Sequence, residues 1–287
     1  YKAVIELSKV DGATIEHVLF SESFAGGACI LANNRNITLT RILASKFGKG
    51  SASQGLSTSN NNGITITNSY FLGADDGMDK TCWTSNWDQN ITVQHNTFNT
   101  TNNIRNACVN FNNPKMIRSI AGNIFLGTPS SASLSVGFAT GGYTATLAVD
   151  FVEEKDNVFV VDGVWDAGLG IYGLSEINNG SYTKISINGG MAFSQYQSYG
   201  KGQNSVLVSD HSNKISFLSR TTGDGPVVYL SASSIGRSHV PERIGTLSAD
   251  FSGANRVYPT EAGAFDSRAF YNADLAGLTL GVSAISP

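Results

Sequence analysis

Short segments in which apolar and polar residues alternate with a period of two recur along the first half of the chain. Three of them share one pattern: ITLTRILA from Ile37, ITITNSYF from Ile64 and ITVQHNTF from Ile91. Alternation of Ile, Leu and Val with Thr, Asn and Gln is typical of strands with one buried face, and it does not fit a helix. The predicted inward positions are Ile37, Leu39, Ile64, Ile66, Ile91 and Val93.

The three segments follow one another at a constant step of 27 in residue number. The aromatic residue that ends each unit keeps this step, from Phe71 to Phe98 to Phe125. Upstream, ATIEHVLF precedes the next unit by a shorter step of 24, and downstream KDNVF ends at Phe159 after a longer step of 34. A fixed period in this range indicates a repeat architecture, and one unit has room for about three short strands. Three strands and three turns per coil, stacked about 4.8 Å apart, predict an all-β parallel β-helix.

Stacked coils place equivalent side chains in columns. An outward threonine ladder is expected on one face, and a mixed polar column is expected at the far end of the same strands. The ladder comprises Thr14, Thr38, Thr65 and Thr92, and the polar column comprises His17, Arg41, Asn68 and His95. The Asn-rich segments between strands predict turns, because Asn tolerates a left-handed backbone and can bond its own backbone.

The period fades after about residue 127, although further strand-like segments follow between Gly, Asn and Ser turns. We predict β-helix coils over 1–160, distorted coils or a packed β-sheet region over 161–249, and a covering tail over 250–287. The segment YKAVIELSKV has the pattern of a strand inside the stack and no signal-peptide layout, so a processed or domain-level product is expected. An open coil end exposes strand edges, which predicts a cover for the first coil: an N-terminal segment or the partners of a homotrimer.

Composition narrows the functional classes. Charged residues make up 14% of the chain and the formal net charge is −3, which argues against a general nucleic-acid binder. No apolar run is long enough to span a membrane. The three cysteines, Cys29, Cys82 and Cys108, lack zinc-site spacing. They fall near one position of the coil, beside Leu56 and Trp83, and are expected to be reduced and buried.

The segments NGITITNSYFLGADDGMDK, NITVQHNTF and AGNIF resemble the right-handed parallel β-helices of the pectate-lyase-like superfamily. The resemblance covers roughly residues 3–160. It implies the fold of secreted polysaccharide lyases and hydrolases and of bacteriophage tailspikes. Because this fold carries enzymes, adhesins and structural spikes alike, the resemblance alone does not choose between them. Thr-x-Thr rows also resemble those of ice-binding solenoids, but Glu16 and Gln94 interrupt the row here.

An acidic loop follows the strand ITITNSYF, as it does in lyases of this superfamily. Asp75, Asp76 and Asp79 are candidate ligands for Ca²⁺, a hard cation that prefers oxygen. The candidate catalytic residues are Asp76, Asp79, Lys80 and His95. Two carboxylates can act as acid and base in glycoside hydrolysis, and a lysine with a lowered pKa can abstract a proton. The alternative is an ordinary turn, in which Asp caps and Gly takes positive φ.

Aromatic and cationic residues supply the candidate sugar contacts. Flat amphipathic rings suit the apolar faces of sugars, and cations suit acidic sugars. The candidate substrate-binding residues are Trp87, Arg105, Tyr196 and Tyr199, with Lys115 and Arg118 as further surface cations. Each of them has an alternative role as a solvated surface residue.

Two functions follow from these observations. The first is an extracellular or virion-surface β-helix that binds, and as a further step cleaves, a polysaccharide by lyase or hydrolase chemistry. The second is a non-catalytic structural or receptor-binding component of a phage particle. The lack of an evident N-terminal covering element favours the second, because enzymes of this fold usually carry one.

Overall fold

The computed structural model describes residues 4–21, 29–47, 55–73, 82–104, 108–112, 116–129, 135–141, 151–161, 170–174, 190–191, 197, 202–208, 217–222, 225–230, 236, 238–252 and 255–264. Within these residues the chain is nearly all β-strand and winds through three parallel sheets. The coils repeat at the predicted step, since Ile37 pairs with Ile64 and Ile64 pairs with Ile91. The predicted all-β parallel β-helix is therefore confirmed.

Each coil contributes one strand to each sheet. Sheet A contains β1 (Ile5–Ser8), β4 (Cys29–Ala32), β7 (Leu56–Ser59), β10 (Trp83–Asn86), β13 (Val109–Asn112), β16 (Ser135–Gly141), β19 (Gly170–Leu174) and β20 (Gly190–Met191). Sheet B contains β2 (Thr14–Glu16), β5 (Arg35–Thr40), β8 (Asn62–Thr67), β11 (Gln89–Gln94), β14 (Met116–Ala121) and β17 (Phe151–Lys155). Sheet C contains β3 (Leu19–Ser21), β6 (Leu43–Phe47), β9 (Tyr70–Gly73), β12 (Thr97–Ile104), β15 (Ile124–Pro129), β18 (Val158–Val161) and β21 (Val206–Val208).

The stack changes character near its C-terminal end. β20 joins sheet A antiparallel to β19, and a separate antiparallel hairpin is formed by β22 (Phe217–Thr222) and β23 (Gly225–Leu230). No helix in the described part of the chain is long and apolar enough to cross a membrane. The proposed division of the chain at 160 and 249 stays a prediction.

The interior of the solenoid is built from the alternating apolar positions. Ile37, Leu39, Ile64, Ile66 and Ile91 are 0% exposed and Val93 is 1% exposed, which confirms their predicted direction. The repeating aromatics form a stack in sheet C, with ring centroids 5.3 Å apart for Phe71–Phe98 and 5.4 Å for both Phe98–Phe125 and Phe125–Phe159. Each such pair contributes about 0.5–1.5 kcal/mol beyond burial alone. The stack therefore also confirms the longer step to Phe159.

The three cysteines are buried thiols, as predicted. Burial raises the pKa of Cys29 and of Cys82, which keeps these thiols protonated and unreactive. The register corrects their assumed alignment, since Cys29 pairs with Leu56 and Leu56 with Trp83. Cys82 and Cys108 lie one position earlier, immediately before their strands.

The outer faces of sheets B and C differ in polarity. The threonine ladder runs along sheet B in register, from Thr14 through Thr38 and Thr65 to Thr92, as predicted. Sheet C instead presents outward apolar side chains, among them Ile124, Leu126 and Val158. A segment that we call the strap, residues 238–252 and 255–264, packs Val240, Ile244 and Ala262 against them. The strap thus covers the outside of sheet C and forms a second, smaller apolar cluster there.

Two glycines allow the strap to approach the coils closely. Gly122 has φ +65°, and an added Cβ would lie 2.8 Å from Cδ1 of Ile244. Gly263 has φ +90°, and an added Cβ would lie 2.6 Å from Oγ1 of Thr97. The Gly263 amide donates to the Gly122 carbonyl at 2.7 Å, so the two backbones meet where neither residue has a side chain.

The first coil is the least buried of the coils. Val4 is 65% exposed and Leu19 is 42% exposed, while Ile5 and Leu7 are half-buried. An N-terminal cover or a homotrimeric partner for this coil stays a prediction.

Candidate functional site

The coils turn from sheet A to sheet B, and from sheet B to sheet C, through two-residue corners of the same design. The first residue of each corner has positive φ, and the second is usually buried and bonds to the neighbouring coil. The A–B corners have φ values of 60° at Lys9, 57° at Asn33, 54° at Asn60 and 59° at Trp87. The B–C corners have 56° at His17, 55° at Arg41, 48° at Asn68 and 53° at His95. The predicted polar column therefore exists because each member fills a left-handed corner position.

Buried hydrogen bonds link the second residues of successive A–B corners, Asn34, Asn61 and Asp88, into a ladder. The backbone N–H of Asn34 donates to Oδ1 of Asn61 at 2.8 Å, and the backbone N–H of Asn61 donates to Oδ1 of Asp88 at 2.7 Å. Asp88 also accepts from the hydroxyl of Ser85 at 2.6 Å and from that of Thr58. Burial raises the pKa of Asp88, and these hydrogen bonds oppose the rise. Asp88 is 0% exposed, so its carboxylate holds the corner and does not reach a ligand.

Trp87 lies directly above this ladder and is 52% exposed. A bulky aromatic residue rarely adopts positive φ, which costs about 1 kcal/mol or more for a non-glycine residue. Burial of the Trp87 side chain cannot offset that cost, because the side chain is half-exposed. An exposed aromatic ring is therefore held in place by a backbone that the buried ladder fixes rigidly.

Amide and guanidinium groups continue the same edge along sheet B. Nε of Arg118 donates to Oδ1 of Asn90 at 2.9 Å, and Nδ2 of Asn90 donates to Oδ1 of Asn62 at 2.6 Å. These three residues come from three successive coils, so the row spans about 10 Å along the stack. We call Asn60, Asn62, Trp87, Asn90 and Arg118 the A–B edge.

His95 occupies the equivalent corner at the other end of β11, and its environment is the opposite. It is 0% exposed, because the strap covers it, and neither ring nitrogen forms a hydrogen bond. Burial and then the Arg256 guanidinium lower its pKa well below the ordinary value; the Glu261 backbone opposes this without reaching hydrogen-bond geometry. A buried ring in this position has no access to a sugar.

Of the candidate residues of the sequence analysis, Trp87 and His95 therefore do not belong to one site. Six residues of β11 separate the corners of Trp87 and His95, a distance of about 20 Å along an extended strand. One sugar ring does not reach both residues, so the expected roles of Trp87 in substrate binding and of His95 in catalysis do not combine in one site. The acidic segment follows β9 of sheet C and precedes β10 of sheet A in the sequence, so it belongs to neither of these two corners. Asp75, Asp76, Asp79, Lys80, Arg105, Lys115, Tyr196 and Tyr199 lie outside the described residues, so their roles stay predictions.

Ca²⁺ stays a prediction as well, because its proposed ligands are among those residues. In the portion of the chain that the structure covers, no three His, Cys, Asp or Glu side chains are grouped to hold a metal ion.

Sequence analysis identified Trp87 and Arg118 separately but missed the amide row that joins their edge. The buried ladder beneath the corner was missed as well, although its members Asn34, Asn61 and Asp88 recur in the turns with the same period as the strands. The distinction between buried and exposed amides depends on the corner geometry, which is visible only in three dimensions.

No protein-family model matches the chain, and no curated protein matches it either. The fold and the geometry of its edges therefore carry the functional argument alone.

Proposed function

We propose that this β-helix binds an acidic polysaccharide at the A–B edge, on the outside of a cell or of a virus particle. Trp87 is the observation that carries the proposal, since its large aromatic ring is half-exposed at a corner that the buried hydrogen bonds of Asp88 support. A flat amphipathic ring of this kind suits the apolar face of a sugar.

The neighbouring groups supply the polar part of the recognition. Asn60, Asn62 and Asn90 offer planar amides that pair with sugar hydroxyls, and hydrogen bonds already hold the last two in place. Arg118 is exposed and hydrogen-bonds Asn90, which leaves further guanidinium donors for a carboxylate or sulfate group. The row follows the stacking direction of the coils, so an extended chain can contact several coils at once.

Cleavage is the second part of the proposed function, and it rests on other residues. Asp76, Asp79 and Lys80 would have to supply the acid and base, with Ca²⁺ bound by Asp75, Asp76 and Asp79. Asp88, the carboxylate next to Trp87, is buried and fully engaged. Release of an unsaturated product from a bound acidic glycan, followed by ultraviolet absorbance, distinguishes a lyase from a non-catalytic binder.

The alternative role, a non-catalytic spike or decoration component, is favoured by the continuity of the stacks. Amide ladders and the phenylalanine stack link successive coils without interruption, which suits a stiff rod. Such a component presents the A–B edge to a surface glycan without cleaving it. The finer resemblance to pectate-lyase-like proteins and tailspikes supports both roles equally.

A glycan array of neutral and acidic polysaccharides, probed with the full chain, tests the binding proposal. We expect binding to acidic members, and a loss of at least about tenfold in Trp87→Asn. Asn60 occupies the equivalent corner, so the substitution retains the backbone geometry. Arg118→Gln should weaken binding and reduce its dependence on salt.

Lys9→Ala is the matched control, because Lys9 has the same corner position three coils away from Trp87. It should bind as the unaltered chain does. The proposal fails if the unaltered chain binds no glycan, or if Trp87→Asn binds as tightly.

A further inference from the structure

A cleft of about 550 Å³ lies where the last coils meet the strap, at B–C corners far from the A–B edge. Its lining includes Lys155, Asp156, Gln203, Asn204, His239 and Glu242. The volume falls within the range of about 300–1,000 Å³ that is typical of small-molecule sites.

Three separate parts of the chain build the cleft. Asp156 and Asn204 are left-handed corner residues of successive coils, and Nδ2 of Asn204 donates to Oδ1 of Asp156 at 2.8 Å. The same nitrogen donates to the carbonyl of His239 in the strap at 3.2 Å. The corner amide therefore ties the solenoid to the strap at the floor of the cleft.

The charges of the cleft disfavour an anionic ligand. Lys155 forms an ion pair with Glu153 at 3.1 Å, which compensates its positive charge. Asp156 and Glu242 add two further carboxylates to the lining. An acidic sugar of the kind proposed for the A–B edge would be repelled here.

The polar groups of the cleft instead suit a ligand whose groups can both donate and accept hydrogen bonds. Gln203, Asn204 and Ser238 carry both donors and acceptors. Nε2 of His239 is buried and has no hydrogen-bond partner. Burial lowers the pKa of His239, while Asp156 and the backbone groups of Asn204 and Asn157 oppose the decrease, so a neutral ring is favoured.

We propose that this cleft binds a small neutral polyhydroxylated molecule, such as a single sugar ring or a cyclic polyol, and that the bound molecule locks the strap onto the solenoid. The locking follows from the lining, since the ligand contacts the corners of two coils and the strap together. A ligand that binds only the docked strap shifts the equilibrium towards that state.

The test is a titration of the full chain with myo-inositol and D-glucose, followed through backbone amide resonances. D-glucuronate and D-glucosamine serve as charged counterparts of the same ring. We expect saturable shifts at residues 155–156, 203–204, 238–240 and 242 with the neutral molecules, and weaker binding of D-glucuronate than of the neutral molecules or D-glucosamine, because the carboxylates of Asp156 and Glu242 repel an anion. Gln203→Ala and Glu242→Ala should each weaken the affinity about threefold to tenfold.

Glu6→Ala, which removes an exposed carboxylate from β1, should leave the affinity unchanged. Hydrogen exchange gives the second readout: the amides of Val240 and Thr260, which bond to each other's carbonyls, should exchange more slowly with ligand bound. Absence of saturable binding by either neutral molecule, binding of D-glucuronate as tight as that of the neutral molecules, or unaltered affinity in both cleft variants overturns the site. Unchanged strap exchange under saturation overturns the locking.

The result is independent of the proposed function. Trp87→Asn should bind the neutral molecules as the unaltered chain does, and failure of polysaccharide binding at the A–B edge leaves this titration unaffected.

Discussion

Trp87 and His95 each occupy the first position of a corner, but their environments are opposite: Trp87 is half-exposed and His95 is buried. Both have a left-handed backbone, with φ 59° and φ 53°. Trp87 projects from an uncovered edge, whereas His95 lies beneath the strap beside Arg256. Residue type alone therefore does not identify function in this fold, since a corner position also has to be open.

The buried imidazole makes stability depend on pH. His95 has a lowered pKa in the folded state, so below about pH 6.5 the unfolded chain binds a proton that the folded chain does not. Stability should therefore fall as pH falls through that range, by up to about 1.4 kcal/mol per pH unit from this residue. In His95→Asn, urea unfolding should show a correspondingly smaller loss between about pH 7.5 and about pH 5.5.

His17→Asn is the control for this measurement, because His17 has the same corner geometry and is exposed. It should keep the pH profile of the unaltered chain. Identical profiles for His95→Asn and the unaltered chain would contradict a buried neutral imidazole.

Asp88 tests the amide ladder at the scale of one side chain. Asp88→Asn retains a side-chain oxygen that accepts from the backbone, as Asn61 does one coil away, so the free energy of unfolding should change by less than about 1.5 kcal/mol. Asp88→Ala leaves the Asn61 amide, the Ser85 hydroxyl and the Thr58 hydroxyl without their acceptor. That loss should cost about 3 kcal/mol or more. Equal denaturation midpoints for the two variants would show that the ladder does not support the corner.

The strands test the register, which decides which face of each element is buried. Ile66 is 0% exposed inside the solenoid, and Thr65 beside it lies in the outward ladder. Ile66→Asp places an unpaired carboxylate in the core and should prevent folding, at a cost of several kcal/mol. Thr65→Asp should fold and lose about 1 kcal/mol or less. Circular dichroism melting of the two variants checks the contrast, and a folded Ile66→Asp protein would mean that the register is shifted.

At the scale of the molecule, the strap and the solenoid are joined through Arg256. Its guanidinium donates to Oδ1 of Asn68 at 2.9 Å and to the carbonyls of Gly263 and Ala264 at 2.9 and 3.1 Å. The side chain is 6% exposed, so these bonds are not exchanged freely with water. Arg256→Ala should lower the free energy of unfolding by about 3 kcal/mol and speed hydrogen exchange at Thr260. Arg243 is an exposed arginine of the same strap, and Arg243→Ala should change neither the free energy of unfolding nor the exchange at Thr260. Equal effects of the two substitutions would show that Arg256 does not join the strap to the solenoid.

The solenoid is predictable from the sequence because each repeat unit is one contiguous segment of the chain. Alternation places Ile64 and Ile66 inside, and the constant step between coils aligns Phe71 with Phe98, so two periodicities determine both face and stacking. The strap follows no periodicity, because its contacts join residues far apart in sequence, such as Asn68 and Arg256. The opposite environments of Trp87 and His95 could not be predicted either, because residues far away in the sequence, such as Arg256, cover one corner and not the other.

The central claim of the account is that a polysaccharide lies along the A–B edge with Trp87 beneath a sugar ring. A crystal structure of the full chain with an oligosaccharide of the type that binds most tightly tests it most directly. We expect a ring stacked on Trp87, hydroxyl groups paired with Asn60 and Asn90, and an acidic group at Arg118. A sugar bound on another face, with Trp87 free of contact, would contradict the account.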